Sequence, residues 1–325
     1  MSTRRGSRSA STLAVALALF AVGALIAPLS ANAATIANGD FNTGNLVGWQ
    51  QLNNGGAPTN SWYVYSGTTS PVSTHPIPAP PHGTYAAISD EMSASSHIIY
   101  QDIALERGYS QKLSLIAYYT SYAPISDPSS LDPTLIGNQQ YRIDVMKPSA
   151  PVNSVNPSDI LLNVFRTRSG DPLTLSPTTL NADLTPFAGQ TVRLRIADVD
   201  NVNFLNSGVD AISLVSTPPS NVIKFGKVKL NKNKGTATLT VKVPGPGKIS
   251  LTGKGVKKQR PVGRAVASKK VATAGKVKLL VKPKGKVKSK LAQTGKAKVK
   301  VKVTFTPTFG TAKSSTKRVK LVKNG

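Results

Sequence analysis

All fourteen Asp and Glu residues of this 325-residue chain lie between Asp40 and Asp210, whereas residues 221 to 325 carry thirty Lys or Arg and no acidic residue. A segment with no carboxylate cannot neutralise its lysines locally. About 290 mature residues are enough for two domains, each able to bury a core of its own. Residues 34–220 hold eight basic and fourteen acidic residues, net −6, against +30 for the segment that follows, and the whole-chain value of +27 hides this division. The asymmetry predicts two domains with separate tasks: the basic one seeks a polyanion by charge, and the other carries whatever is specific.

The N-terminus predicts export. Arg4, Arg5 and Arg8 form a basic start, Leu13 to Ile26 is an apolar run, and Ala31-Asn32-Ala33 has the small-x-small pattern of a cleavage site. Together they read as a signal peptide over residues 1–33 with the mature chain starting at Ala34. A retained anchor is the alternative, but the run is shorter than the roughly 20 residues that span a bilayer. Arg4-Arg5 raises a twin-arginine signal, although Gly6-Ser7-Arg8 lacks the apolar residues that usually follow. The expected location is therefore extracellular or cell-envelope associated, with no transmembrane segment in the mature chain and no wall-sorting or lipid-anchor tail at residues 319–325. Cysteine is absent, so no disulfide framework is expected and stability must come from packed cores.

The boundary falls at Ser216-Thr217-Pro218-Pro219-Ser220, which gives a first domain over 34–216, a Pro-rich linker over 217–222 and a second domain over 223–325. In the first domain, short runs of Val, Ile, Tyr and Leu recur between Pro, Gly, Asn and Ser clusters without helical periodicity. The pattern is all-β. Val192, Leu194 and Ile196 should face the core with Arg193 and Arg195 opposite, and Tyr141, Ile143 and Val145 should repeat this against Arg142 and Asp144. Leu113 to Tyr119 is more continuously apolar, as expected of a strand covered on both sides. Proline-rich loops at 71–83 and 123–137 are the expected carriers of specificity.

The basic domain is also patterned. Lys296, Lys298, Lys300 and Lys302 alternate with Ala297, Val299, Val301 and Val303, placing lysine on one face of a strand, and Thr236 to Val243 and Lys276 to Val281 behave similarly. Pro244-Gly245-Pro246-Gly247 reads as a tight, hairpin-like connection to Lys248–Leu251. About six or seven such strands fit a small immunoglobulin-like sandwich. Those four lysines are the candidate polyanion contacts. The partners expected outside the cell are anionic envelope polymers such as teichoic or teichuronic acids, acidic polysaccharides, anionic lipids or extracellular DNA. Intracellular nucleic acid is not expected, given the export signal and the lack of Tyr and Trp for base stacking. A lysine face that only maintains solubility and keeps strand edges apart is the other reading.

Both tryptophans and all nine tyrosines lie in the first domain. Sugar C–H faces stack on flat rings while their hydroxyls seek polar groups, so Trp62, Tyr63, Tyr65, Tyr118 and Tyr122 are candidate ligand contacts with Arg193 and Arg195 as polar partners. Core packing is the alternative for each ring. Catalysis has little support: His75, His82 and His97 are scattered, and no nucleophile elbow or zinc-binding spacing occurs. Asp198 and Asp200 lie two apart as glycosidase carboxylates might, or as an ordinary surface pair.

Asn38-Gly39-Asp40-Phe41-Asn42-Thr43-Gly44 followed by Gly48-Trp49, the strand Ser96 to Ile103, and Gly189 to Ile196 with Gly208 to Leu214 together resemble galactose-binding-like jelly-roll domains of secreted bacterial proteins and carbohydrate-binding modules. The resemblance covers 35–216 and implies a jelly-roll β-sandwich, followed in this chain by the smaller immunoglobulin-like β-sandwich. It implies a structural calcium held by Asp40, Asn42 and Asp210, with Asn42 standing where the family has Glu; a plain turn at residues 38–40 is the alternative. The run from Phe225 to Lys248 and the end Lys300 to Pro307 resemble a Lys-rich C-terminal module of exported actinobacterial proteins, which implies no established activity. These observations lead to the expectation of a secreted, non-catalytic cell-envelope or matrix protein whose jelly roll binds a glycan, such as a cell-wall polysaccharide. The alternatives are a purely structural surface protein with a protein partner, or a glycoside or polysaccharide hydrolase, which would need a deep pocket with two converging carboxylates.

Overall fold

The computed structural model describes residues 35–258 and 268–325; the predicted signal peptide lies outside the described residues. Strands are numbered in chain order. Ten of them form two five-stranded antiparallel sheets. The first sheet runs β1 (Gln50–Gly55), β4 (Ser95–Ala104), β9 (Thr191–Asp200), β6 (Gln139–Met146), β7 (Ile160–Arg166). The second runs β2 (Ser61–Tyr65), β3 (Ala86–Asp90), β10 (Leu205–Thr217), β5 (Ser110–Ser121), β8 (Thr174–Asp183). Their inner faces meet in a core that includes Phe41, Trp49, Leu115, Tyr141 and Ile143, together with the expected row Val192, Leu194 and Ile196.

Both outer faces are covered too. The segment between β2 and β3 lies over Tyr65, Ala86, Ile88 and Tyr118 and contributes Ile77. On the other side Leu131, Val152 and Val155, from the connections flanking β6, cover Ile98, Ala197 and Val199. All eight residues of β6 are consequently buried. Residue type alone gives no warning of this, because Arg142 and Asp144 alternate with apolar neighbours as on a solvated face.

The start of the domain is pinned to its last strand. Gly39 accepts a hydrogen bond from the Ile212 N–H at 2.7 Å, and a Cβ on Gly39 would sit 2.1 Å from the Ile212 carbonyl oxygen, so only glycine fits. The Gln101 side chain clamps Ala37 from both directions, accepting its N–H at 2.8 Å and donating to its carbonyl at 2.9 Å.

The second sandwich packs a three-stranded sheet, β11 (Lys224–Asn231), β12 (Thr236–Val243), β15 (Gly275–Val281), on a four-stranded one, β14 (Ser268–Val271), β13 (Gly247–Thr252), β16 (Lys296–Pro307), β17 (Lys313–Val322). One sequence expectation needs correction. The Pro244–Gly247 connection does not make a hairpin: β12 pairs with β11 and β15, whereas β13 pairs with β14 and β16, so the prolines carry the chain from one sheet to the other. Prolines lack the N–H that ladder continuation requires. Lys286–Thr294 forms a helix, α1, although Lys286, Lys288 and Lys290 alternate as in a strand; its Leu291 enters the core. No helix among the described residues is long and apolar enough to cross a membrane.

Both sandwiches belong to one compact unit. Arg107 lies over the Phe309 ring at 4.7 Å, and a Cβ on Gly108 would come within 2.5 Å of that ring.

Candidate functional site

Strand registers bring five connections to one end of the first sandwich. Gly55 faces Ser95, Ser95 and Gln139 face Asp200, and Leu205 faces Ser121, so residues 56–60, 91–94, 122–138, 167–173 and 201–204 cluster at this pole. The chain leaves for the second sandwich from the opposite end, where Thr217 pairs with Ser110.

Toward the loop pole the interior changes character. Side chains two apart on a strand share a face, so the core row Val192, Leu194, Ile196 continues into Asp198 and Asp200. Both are buried, and the reading of these two as a surface pair is overturned. Asp198 Oδ2 accepts from Ser207 Oγ at 2.5 Å, Asp200 Oδ1 accepts from the Ser95 N–H and Oγ at 3.0 Å each, and Glu91 Oε1 accepts from the Leu205 N–H at 2.6 Å. Glu91 Oε2 and Asp198 Oδ1 have no partner. Burial, reinforced by the neighbouring carboxylates, pushes Glu91 and Asp198 well above the usual range, and burial takes Asp200 to about 8. Beside them Ser95 Oγ lies 2.7 Å from His97 Nε2, and burial lowers that imidazole to about 4, which leaves it neutral at physiological pH.

Above this interior sits an aromatic group. His75 stacks on Tyr122 at 4.3 Å and meets the edge of Phe204 at 4.4 Å. Next to it a pocket of about 180 Å³ is lined by Met92, Ser93, Asp200, Asn201, Val202, Asn203 and Phe204, among others. That is smaller than the ~300–1,000 Å³ of pockets for drug-sized ligands, and suits one ring or a chain end. The rim is apolar: Met92, Leu135, Leu173 and Val202 are exposed, and Ile136 is 92% exposed.

Of the predicted ligand contacts, only Tyr122, 39% exposed, lies in this group. Trp62 belongs to the inter-sheet core, and Tyr65 and Tyr118 are buried with their hydroxyls 2.7 Å apart, so none of the three offers a free ring face. Tyr63 is half-buried and its hydroxyl donates to the Thr59 carbonyl. Arg193 makes a two-pronged pair with Asp102 at 2.7 and 3.0 Å and lies over Tyr100 at 4.6 Å. Arg195 is buried outright, donating to Asp144 at 2.5 Å and to the Val152 and Ser154 carbonyls at 2.7 and 2.6 Å. It fastens the 147–159 connection to the sheet instead of facing a ligand. Burial opposes the Asp144 charge, but Arg142 and Arg195 hold its carboxyl below the usual range. Sequence reasoning missed His75, Asn201, Asn203 and Phe204. The usable signal was the short Asn-Val-Asn-Phe segment between two confidently patterned strands.

Asp40, Asn42 and Asp210 do come together where the first turn meets β10, but as a hydrogen-bonded corner. Asp40 accepts from the Asn42 N–H and side-chain amide, Asn42 Oδ1 accepts from the Thr84 N–H at 3.0 Å, and Asp210 accepts from the His82 and Ala211 N–H groups at 2.8 and 2.6 Å. The oxygens that a cation would coordinate already face N–H donors. Burial raises Asp210 to about 6. Calcium wants about six to eight oxygens, so this set does not fit it.

On the second sandwich Lys296, Lys298, Lys300 and Lys302 stand exposed on the outer face of β16. Lys298 is paired directly with Lys320, and Lys300 with Arg318, on β17. The backbone positions that carry these charges are thus about 5 Å apart across strands and about 7 Å along them. At Thr304 the row is neutral, opposite Ser250 and Ser314, and beyond it Thr306 faces Lys248, which pairs with Lys270.

No family model and no curated protein matches the chain. Its fold is similar to those of solved structures of very low sequence identity. The K3 cleaved adhesin domain of Lys-gingipain from Porphyromonas gingivalis is 12% identical, with 55% of this chain and 96% of that one covered and a TM-score of 0.35. TmCBM61 in complex with β-1,4-galactotriose is 9% identical, with 55% and 94% covered and a TM-score of 0.35. The Stig cyclase Fisc from Fischerella sp. TAU is 15% identical, with 57% and 98% covered and a TM-score of 0.34. This chain is an all-β protein of paired antiparallel sandwiches, and likenesses this distant assign it no ligand.

Proposed function

We propose that the first sandwich binds a glycan at its loop pole, and that the second attaches the chain to anionic polymers of the cell envelope, in a secreted and non-catalytic protein. One observation carries the glycan reading. Tyr122, partly exposed with one ring face covered by His75, lies at the same pole as a small pocket lined by Asn201, Asn203, Asp200 and Ser93, so an aromatic ring and amide and carboxyl groups stand in one loop cluster. Attachment through the second sandwich rests on the unopposed lysines of β16 and β17, whose attraction fades over roughly 8 Å at physiological ionic strength. Secretion rests on the sequence of residues 1–33.

The test is retention of the full chain on a polysaccharide panel, comparing the wild type with Tyr122→Ala and Asn203→Ala. Loss of retention in both variants, with unchanged melting temperature, supports the pole as the glycan site. Equal retention by all three removes it. The exposed Ile136 and its apolar neighbours favour a second reading, in which the pole docks a protein. An Ile136→Asp variant that keeps glycan retention but loses a protein partner would favour that reading.

A further inference from the structure

A concentration of lysine around a cavity lies at the α1 end of the second sandwich. The cavity, of about 490 Å³, is lined by Lys234, Lys257, Lys282, Lys284, Lys288 and Lys323. Its remaining lining includes Thr236, Pro283, Leu291 and Ala292. Six lysines around one hollow are like charges, and no Asp or Glu in residues 221–325 offsets them.

The backbones carrying these lysines are fixed. Lys257 donates to the Lys282 carbonyl at 2.8 Å, Lys284 to Gly255 at 2.8 Å, Lys288 to Gly285 at 2.8 Å and Lys323 to Gly295 at 2.9 Å, while the Lys234 N–H is held by Asn231 Oδ1 at 3.0 Å. Two glycines let α1 approach closely enough to form the wall. A Cβ on Gly235 would come within 2.8 Å of Leu291, and one on Gly255 within 2.3 Å of Val287. All six lysines therefore spring from hydrogen-bonded backbone positions, which lowers the backbone part of the ordering cost of binding.

We propose that this cavity binds a phosphate group of an anionic polymer, with the phosphate oxygens among the ammonium groups and the adjoining carbon chain on Leu291, Pro283 and Ala292. Among the described residues every cation lining the cavity is lysine, and an ammonium is a compact point charge that can meet a tetrahedral phosphate from several sides. The inference rests on the proposed attachment to anionic polymers and gives it a saturable site, distinct from the open face of β16.

The probe is inorganic tripolyphosphate, titrated into the full chain at physiological ionic strength and compared with citrate. One equivalent should saturate the site, with tripolyphosphate favoured over citrate. Lys284→Ala/Lys288→Ala/Lys323→Ala should weaken tripolyphosphate binding about tenfold or more, because charge-assisted hydrogen bonds are lost, while Lys298→Ala/Lys300→Ala/Lys302→Ala should leave it nearly unchanged. The single variant Lys288→Gln repeats the test with minimal disturbance, and all variants are compared at equal melting temperature. Binding that never saturates, equal preference for citrate, or equal losses in the two triple variants would overturn the proposal. Retention on immobilised poly(glycerol phosphate) separates the two readings. If the wild type and the cavity variant are retained equally, attachment stands and the cavity site falls; if the wild type binds neither polymer nor tripolyphosphate, both fall.

Discussion

The two sandwiches solve the placement of charge in opposite ways. The first buries Glu91, Asp90, Asp144, Arg195, Asp198, Asp200 and Asp210, and satisfies most of their polar atoms through side-chain networks that tie loops to sheets. The second, among its described residues, buries one polar side chain, Thr236, and sends its lysines outward. The difference shows where specificity of structure comes from in each. A core such as Leu239, Val301, Val303 and Phe305 needs only apolar volume on one side of a strand, whereas a buried Arg195 needs a particular carboxylate and two particular carbonyls.

Removing a buried charge partner should therefore hurt the first sandwich more than any surface lysine change hurts the second. Arg195→Met should destabilise the protein by about 3–5 kcal/mol, because Asp144 then loses a partner with which it is buried. Urea unfolding followed by Trp fluorescence reads this, since Trp49 and Trp62 both lie in the first sandwich. A loss under about 1 kcal/mol would mean that Arg142 alone suffices for Asp144. In the second sandwich the comparable injury is a cavity: Phe305→Ala should cost about 3–5 kcal/mol, read by circular dichroism of the full chain.

The next effect depends on pH. Glu91, Asp198 and Asp200 have folded pKa values above their unfolded ones, so the folded state retains protons that the unfolded chain has released. Their stabilising contribution is complete below about pH 4 and is lost as pH rises through each folded value, which for Asp200 is about 8, at about 1.4 kcal/mol per pH unit for each proton retained. His97, lowered to about 4 by burial, works in the opposite direction between about 4 and 6.5. Asp210, raised to about 6, contributes to the acid side of the window. Above about pH 6.5 the carboxylates act without His97 opposing them, so stability of the first sandwich should fall from there to about pH 8. Asp200→Asn should flatten that slope, and a flat wild-type profile would show that the three carboxyls are ionised when folded.

Two smaller effects complete the contrast. Lys300→Ala should be neutral or stabilise the second sandwich by about 0.2–1 kcal/mol, because it removes a like-charge pair across from Arg318. Removing calcium with a chelator should leave the melting temperature of the first sandwich unchanged, since Asn42 and Asp210 already accept N–H donors; a clear drop would mean that the corner rearranges around a cation.

Alternation over Lys296–Val303 was legible because every odd residue is apolar and every even one is lysine, so sequence alone dictates which side of β16 is core. The rows Val192–Ile196 and Tyr141–Val145 were legible for the same reason. The loop pole was only partly so: Tyr122 was identified, but its companions His75 and Phe204 lie 47 and 82 residues away in the chain. Ring stacking between them depends on how three loops fold back, which no local pattern encodes.

The sequence by itself determined the segregation of acidic from basic residues, which is a matter of composition, and the all-β character and the lysine face, which follow from residue type at a spacing of two. Tertiary structure alone decided that Arg195 is buried, that Asp198 and Asp200 continue the core, and that six lysines enclose a cavity beside α1. In each case a remote segment covers or abuts a face whose own residues look ready for water, and burial is a property of what arrives on top.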